Sequence, residues 1–288
     1  MATIPRLNNV IRVLEQGQIP ITTFVSPPTV ENAIAVSTAP YDGVVFEAEH
    51  NPYDIRNLRD CLQYMLNRRQ IVERGTFSPA VTPIIRIPPN GAETSQWVAK
   101  QVLDIGAYGV VWPRVSTAEQ AYNAVAACRY PRPKSAPACE PAGQRGDNPV
   151  HAARYWGLAQ QEYYAKADVW PLNPQGEILV ILMCEEVQAI DNLPRILKEV
   201  PGIGVLLIGE GDLSQNLGYP RQYEHPAVVE AMTAIRRICQ EHNVPCGHPH
   251  VEAHNAERIV KEGYHFLMTA PVRSYPGLEV CRKLTGRT

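Results

Sequence analysis

Short runs of apolar, largely β-branched residues recur along the chain, and helix-like stretches separate them. Eight of these runs have strand character, at residues 21–25, 43–47, 83–87, 109–112, 178–184, 204–208, 244–247 and 265–268. Most show no alternation of apolar and polar residues, which is typical of parallel strands covered by helices on both faces. Eight strands alternating with helices predict an α/β fold, a (β/α)8 TIM barrel.

Helical periodicity fills most of the intervals between these runs. The predicted helices cover residues 54–69, 92–105, 117–128, 187–200, 225–242 and 251–261. An open doubly wound sheet is the alternative, but it favours a Gly-x-Gly-x-x-Gly turn after its first strand. The segment Ser26-Pro27-Pro28 is not such a turn, so we prefer the barrel.

The length allows one or two domains, a single decorated barrel fits equally well, and with the strand pattern above we predict one domain over residues 1–288. Hydrophobic residues make up 45% of the chain, and the net charge of −2 predicts no nucleic-acid partner. The run at 178–184 is far shorter than the ~20 residues of a membrane helix, and the N-terminal segment predicts no secretory signal. Seven scattered cysteines without a Cys-x-x-Cys pair indicate reduced thiols in a cytoplasm.

One region departs from this alternation. Residues 130–149 contain five prolines and two glycines, and the aromatic-rich stretch 151–166 has the pattern of an extra helix. Long ordered excursions in compact domains are usually functional. We therefore expect the excursion 130–177, which precedes strand 5 of the barrel, to cover the rim or an interface.

Polar side chains cluster where the predicted strands end, which is the catalytic rim of such barrels. The second run ends in Glu47, Glu49 and His50, and the third has Arg86 near its end. Glu185 and Glu186 follow the fifth run, and Glu210 and Asp212 follow the sixth. Because unpaired charges are costly to desolvate, this clustering predicts a functional site.

Glu185 and Asp212 are the best candidates for metal ligands. Two hard oxygen ligands with no adjacent His or Cys suit Mg²⁺ or Mn²⁺ better than a structural zinc. For either residue alone, capping of the next helix or turn is an equal alternative. Together, at adjacent strand ends, they favour a metal site.

Three further candidates surround this pair. The segment Gly209-Glu210-Gly211-Asp212 offers backbone N–H groups to a carboxylate, although such a segment is also a common tight turn. Arg86 fits a carboxylate or enolate oxygen, or pairs with Glu47, and His50 with Glu47 would form a general base. The cluster around His248 and His250 ranks lower, as a rim loop.

These motifs resemble the HpcH/HpaI family of metal-dependent, class II 2-oxo-acid (pyruvate) aldolases. The matching segments are collinear over roughly residues 20–220: 46–50, 83–88, 104–113, 115–121, 129–131, 145–146, 184–185, 192–193 and 201–218. The resemblance implies a cytoplasmic carbon–carbon lyase. It would reversibly cleave a 4-hydroxy-2-oxo acid to pyruvate or hydroxypyruvate and an aldehyde through a metal-stabilised enolate.

The resemblance also implies roles for individual residues. Glu185 and Asp212 would bind Mg²⁺ or Mn²⁺, with Co²⁺ as an alternative, and His50 with Glu47 would be the acid/base dyad. Arg86 would steady the enolate oxygen, while the backbone at Gly211 and Asp212 would receive the pyruvate carboxylate. The family barrel usually forms a homohexamer that exchanges a C-terminal helix.

The chain departs from the family pattern at four places. Glu47 stands where Asp is usual, Met183 where Gln is common and Glu210 where Pro is usual, and the excursion is long. No predicted strand contains or ends in Lys, which excludes a Schiff-base aldolase. The alternatives are an oxaloacetate decarboxylase or synthase, a malyl- or citryl-type acyl-CoA lyase, and, last, a non-catalytic binding barrel.

Overall fold

The computed structural model describes residues 4–89, 95–270, 280–282 and 284–285. Its strands are β1 (Ile21–Val25), β2 (Gly43–Glu47), β3 (Thr82–Arg86), β4 (Gly109–Trp112), β5 (Val169–Trp170), β6 (Ile178–Cys184), β7 (Val205–Ile208), β8 (Cys246–Val251) and β9 (Phe266–Thr269). All pairings between them are parallel, and the pairing of β4 with β6 closes eight strands into a barrel. The (β/α)8 prediction is confirmed.

The first helix precedes β1, and most of the others follow strands and cover the outside of the barrel. They are α1 (Asn9–Glu15), α2 (Val30–Val36), α3 (Ile55–Tyr64), α4 (Arg68–Arg74), α5 (Gln96–Asp104), α6 (Ala118–Ala127), α7 (Val150–Trp156), α8 (Gln160–Lys166), α9 (Val187–Glu199), α10 (Glu210–Asn216), α11 (Pro226–Glu241) and α12 (Ala256–Glu262). Thr117 caps α6 in a complete capping box with Gln120. Within the described part of the chain, no helix is long and apolar enough to cross a membrane.

Alternate residues of each strand pack on opposite faces of the barrel wall. Val45, Ile84 and Ile181 belong to the inner core, whereas Val44 and Ile85 pack against the outer helices. Because both faces are buried, the strands need apolar residues at successive positions, and this explains why they read as continuous apolar runs.

Several predicted boundaries differ from the structure. The helix predicted at 54–69 is two helices, because Asn67 caps the start of α4. The helix predicted at 151–166 is also two, because Gly157 ends α7 in a left-handed conformation. The helix predicted at 251–261 starts later, since Val251 still belongs to β8, and the first residues of the one predicted at 92–105 lie outside the described residues.

Four short elements were not predicted: α1, α2, α10 and β5. The first of these matters for the architecture, because Val10 and Ile11 on α1 are fully buried in the inner core. Asn8, which caps α1, donates to the carbonyl of Tyr108 just before β4. Helix α1 therefore closes the N-terminal end of the barrel.

The excursion lies at this N-terminal end. The Trp156 indole donates to the carbonyl of Gly106 ahead of β4 (2.9 Å), and β5 pairs with the first residues of β6. Arg145 contacts Asp104 at the C-terminal end of α5 (3.0 Å). These contacts lie at the end of the barrel opposite the carboxyl ends of the strands. A role of the excursion in covering the rim or an interface stays a prediction.

A buried ion pair fixes the excursion, and breaking it is expected to destabilise the protein. Arg129 and Asp168 are each 1% exposed, with Nε and Oδ1 2.6 Å apart. We expect Asp168→Ala to lower the free energy of unfolding in urea by about 3–5 kcal/mol, because it leaves the guanidinium buried and unpaired. Glu199→Ala is the matched control. It removes an exposed pair with Arg195, which should cost at most about 1 kcal/mol. Equal losses would contradict this prediction.

Candidate active site at the carboxyl ends of the strands

Glu47 and Arg86 are the last residues of β2 and β3, and the sheet register places them side by side. Arg86 Nε donates to Glu47 Oε2 at 2.6 Å, and its terminal nitrogen contacts the same oxygen. The Glu47 residue is 3% exposed. The paired alternative for Arg86 is therefore observed, and the two side chains form one buried unit.

The other carboxylate oxygen of Glu47 organises the loop after β2. Its Oε1 accepts the backbone N–H groups of Glu49 (2.7 Å) and His50 (3.0 Å). Both carboxylate oxygens are thus engaged, neither of them with an imidazole. Glu47 acts as a positioning residue for the loop and for Arg86.

The His50 imidazole lies beside Glu49 instead of Glu47. Its Nε2 is 3.7 Å from Glu49 Oε2, and the side chain is 64% exposed. Burial raises the pKa of Glu49, an effect that the nearby Arg86 opposes from 3.1 Å. The structure therefore does not form the Glu47–His50 dyad that the spacing predicted. It pairs the imidazole with the next carboxylate along the chain.

Arg86 is also held from its other sides. Its guanidinium carbon lies 4.6 Å from the centre of the Phe24 ring, and Nη1 lies 3.8 Å from the sulfur of Met183. Met183 is the residue that replaces the family's common Gln. It packs against Arg86 here as a soft, weak acceptor. These contacts preorganise a positive charge at the mouth of the barrel.

Glu185 follows β6 and is a buried carboxylate in an acidic environment. It is 2% exposed, and its Oε1 accepts the backbone N–H of Arg114 at 2.7 Å. Among the described residues it has no cationic partner within 4 Å. Its pKa is raised to about 8, mainly by burial and to a smaller extent by the charges of Glu49 and Asp212. The helix-capping alternative is wrong, because the N-cap of α9 is Glu186.

Asp212 lies in the first turn of α10, on the neighbouring strand connection. Its Oδ1 is 3.2 Å from Arg114 Nη2, and its side chain is 36% exposed. Gly209 occupies the N-cap position, so the capping alternative for Asp212 is wrong as well. One loop residue thus contacts both predicted metal ligands, Glu185 through its backbone and Asp212 through its side chain.

The donor set fits a divalent cation. A buried carboxylate without a cation, flanked by two more carboxylates, is stabilised by added positive charge. Within residues 4–89 and 95–270, no three His, Cys, Asp or Glu side chains form a metal-binding group. An ion held by Glu185 and Asp212 would therefore complete its coordination with water and substrate, as Mg²⁺ commonly does.

Gly209 and Gly211 let the backbone approach this site. A Cβ atom on Gly209 would lie 2.7 Å from Cβ of Glu185, so a side chain there would displace the carboxylate. Gly211 and Asp212 belong to the first turn of α10, where backbone N–H groups have no partner inside the helix. This supports the predicted contact with a substrate carboxylate.

Glu210 faces away from the carboxylate pair. It is 4% exposed, contacts His250 Nδ1 and lies 4.0 Å from His248 Nε2. These three residues line a separate cavity of about 340 Å³, and neither Glu185 nor Asp212 lines it. The two histidines belong to β8, not to a rim loop as predicted. The negative charge of Glu210 is therefore directed at imidazoles.

Known proteins are similar to this chain in sequence and in fold. The family model described as HpcH/HpaI aldolase/citrate lyase matches residues 21–270. The chain belongs to this family. It is 34% identical over 227 residues to a 2-keto-3-deoxy-L-rhamnonate aldolase of Escherichia coli, covering 78% of this chain and 73% of that protein. Membership and this relative make the chain a carbon–carbon lyase of the aldolase type, in a metal-dependent family that acts on small molecules.

Solved structures of HpcH/HpaI proteins share the fold of the whole chain. One from Burkholderia cenocepacia has a TM-score of 0.76 at 23% identity and covers 97% of this chain and 98% of its own. An HpcH/HpaI aldolase from Desulfitobacterium hafniense has a TM-score of 0.73 at 21% identity, covering 96% and 95%. Both therefore support the barrel architecture.

Sequence reasoning missed one residue of this HpcH/HpaI site, Arg114. It follows β4 and Pro113, and its backbone has φ of +53°. A non-glycine residue in this left-handed region is uncommon, so its sequence neighbours gave no sign of the conformation. An arginine directly after a barrel strand was the available signal.

The raised pKa of Glu185 predicts how metal affinity depends on pH. A metal ligand must be deprotonated, so we expect affinity for Mn²⁺ to rise about tenfold per pH unit well below pH 8 and to level off above it. In the metal-free protein the same shift lowers stability as pH rises from the ordinary 4.5 to about 8, because unfolding then releases the proton. Mn²⁺ titrations at pH 6, 7 and 8.5 measure the affinity. A constant affinity over this range would contradict the prediction.

Proposed function

We propose that this protein reversibly cleaves a 4-hydroxy-2-oxo acid to pyruvate, or hydroxypyruvate, and an aldehyde. Residues 1–288 would form one aldolase domain. The observation that carries the proposal is the pair of carboxylates, Glu185 and Asp212, which follow neighbouring strands and both contact Arg114, with Arg86 near enough to act on Glu185 electrostatically. Mg²⁺ or Mn²⁺, with Co²⁺ as an alternative, is the ion that this pair would hold.

Charge explains why such a site suits this reaction. Cleavage of the C3–C4 bond leaves its electron pair on the pyruvate fragment, as an enolate that water stabilises poorly. A divalent ion, when bound, supplies positive charge against the developing negative charge, which is worth several kcal/mol. Arg86 adds a positive charge that is already oriented by Glu47 and Glu49.

The chain's own residues would divide the remaining tasks. His50 would take the proton of the 4-hydroxyl group as the C3–C4 bond breaks and the aldehyde C=O forms, and would return it in condensation. Glu49, which faces the imidazole, would stabilise its charged form. Backbone N–H groups at Gly211 and Asp212 would bind the carboxylate of pyruvate.

Incubation with donors and acceptors tests this function. Protein supplied with Mg²⁺ or Mn²⁺ is mixed with pyruvate or hydroxypyruvate and a panel of aldehydes, and the products are detected by mass. Cleavage is tested in the opposite direction with 2-keto-3-deoxy-L-rhamnonate, the compound in the name of the Escherichia coli relative. We expect new 4-hydroxy-2-oxo acids. Release of CO₂ from oxaloacetate alone, or cleavage of acyl-CoA thioesters alone, would assign the site to one of the alternative activities.

We further propose that the protein acts as a cytoplasmic homo-oligomer, a hexamer as the family resemblance implies. Exposed apolar side chains that an interface would cover support this, among them Ile34 (50% exposed), Phe77 (54%) and Trp97 (57%). The C-terminal segment that such an exchange would involve lies largely outside the described residues, which after residue 270 are only 280–282 and 284–285. Light scattering after gel filtration tests the assembly, with a chain mass of 32.0 kDa as the unit.

A further inference from the structure

Arg114 connects both carboxylates of the candidate metal site. Its backbone N–H donates to Glu185 at 2.7 Å, and its Nη2 donates to Asp212 at 3.2 Å. Its φ of +53° costs conformational free energy for a non-glycine residue. Such a conformation persists only where the surroundings hold it, and these two contacts help to hold it here.

The guanidinium contacts the carboxylate that would also bind a divalent ion. Asp212 is 36% exposed and Arg114 is 50% exposed at the side chain, so their ion pair is partly screened and weak. Asp212 would favour a divalent ion over one partly exposed arginine. The guanidinium would then lose the carboxylate that it contacts in this structure, while its backbone stays anchored to Glu185.

We propose that Arg114 is a specificity-determining residue that selects an aldehyde carrying a carboxylate. The inference rests on the proposed function. Once Asp212 binds the divalent ion, Arg114 presents a planar set of N–H donors at the mouth of the barrel. This geometry matches a carboxylate.

Arg86 is less suited to this purpose, because its guanidinium is already paired with two carboxylates. Its Nε contacts Glu47 and its Nη1 lies 3.1 Å from Glu49, and the side chain is only 12% exposed. Arg114 is the more exposed of the two guanidinium groups and the one with the weaker partner. A negatively charged acceptor such as glyoxylate therefore fits beside Arg114.

Two substitutions separate the charge of Arg114 from its backbone role. Arg114→Asn removes the charge, while asparagine tolerates the left-handed backbone well. Arg114→Lys keeps the charge but loses the planar fork. Arg195→Ala is the matched control, since Arg195 is also exposed and paired with one glutamate, far along α9.

The first measurement is acceptor preference with pyruvate as donor, as the ratio of kcat/KM for glyoxylate to that for glycolaldehyde. We expect wild type to prefer glyoxylate. Arg114→Asn should lower the ratio about 10- to 100-fold, as expected for one charge-assisted hydrogen bond, with a smaller loss in Arg114→Lys. Arg195→Ala should keep the wild-type ratio. A wild type that does not prefer glyoxylate, or an unchanged ratio in Arg114→Asn, overturns the proposal.

The second measurement is the affinity for Mn²⁺ without substrate. The electron paramagnetic resonance signal of the free ion reports how much Mn²⁺ is unbound. Removing the competing charge in Arg114→Asn should tighten binding about two- to fivefold, as for loss of one exposed ion pair. Unchanged or weaker binding would show that Arg114 and the ion do not compete for Asp212, and would overturn that part of the proposal. If wild type binds Mn²⁺ but does not exchange the methyl protons of pyruvate, the proposed function fails instead, and the binding data still decide the competition.

Discussion

Replacing Glu185 with glutamine is expected to reduce metal-dependent turnover at least about a thousandfold, since a loss of about 4 kcal/mol in charge stabilisation corresponds to that factor. The carboxylate is 2% exposed and lies on the rim between β6 and α9. Glutamine has nearly the same shape and can still accept the N–H of Arg114. The variant should therefore keep the fold and stability of the wild type but lose its affinity for the ion.

Glu186→Gln is the matched control for that experiment. Glu186 is the next residue, and its Oε2 accepts the hydroxyl of Ser116 at 2.5 Å. Turnover of this variant should stay close to wild type. Near-normal turnover of Glu185→Gln, or turnover that persists with EDTA, would show that the ion is held elsewhere or is not needed.

Replacing His50 with alanine is expected to slow aldol cleavage by about 10² to 10⁴, the usual contribution of a general acid/base. The imidazole is 64% exposed and 3.7 Å from Glu49, so its removal should scarcely affect stability. Mn²⁺ affinity should also be kept, because His50 is not one of the proposed ligands. Steady-state cleavage and a Mn²⁺ titration of the same sample measure the two effects separately.

His254→Ala serves as the control for His50→Ala. His254 is 75% exposed and lies 3.4 Å from Glu252, a comparable histidine–glutamate pair away from the carboxylates. It should leave cleavage unchanged. Loss of Mn²⁺ binding in His50→Ala would mean that the imidazole is a ligand, and full activity would mean that another group moves the proton.

The barrel could be predicted from the sequence because its strands are buried on both faces. Four of the predicted strands, at 21–25, 43–47, 109–112 and 178–184, have the observed bounds. A continuous apolar run has few alternatives when helical periodicity lies on either side. Short helices such as α1 and α10 escaped because seven residues give too little periodicity.

The sequence predicted most of the residues that form the candidate site, but not which of their side chains contact each other. Residues at the ends of neighbouring parallel strands must meet, which brings Glu47 beside Arg86. Spacing along the chain could not tell whether His50 turns toward Glu47 or Glu49, because backbone N–H groups occupy the Glu47 oxygen that faces the loop. Likewise, the left-handed backbone of Arg114 and the contact of Trp156 with Gly106 depend on tertiary structure.

The most direct test is the exchange of the methyl protons of pyruvate with D₂O, measured by proton NMR. It shows whether a cation bound by Glu185 and Asp212 is needed to form the enolate. We predict that EDTA-treated wild type shows no exchange, that Mg²⁺ or Mn²⁺ restores it, and that Glu185→Gln stays inactive with either ion. Exchange that continues with EDTA, or that Glu185→Gln supports at the wild-type rate, would contradict the account.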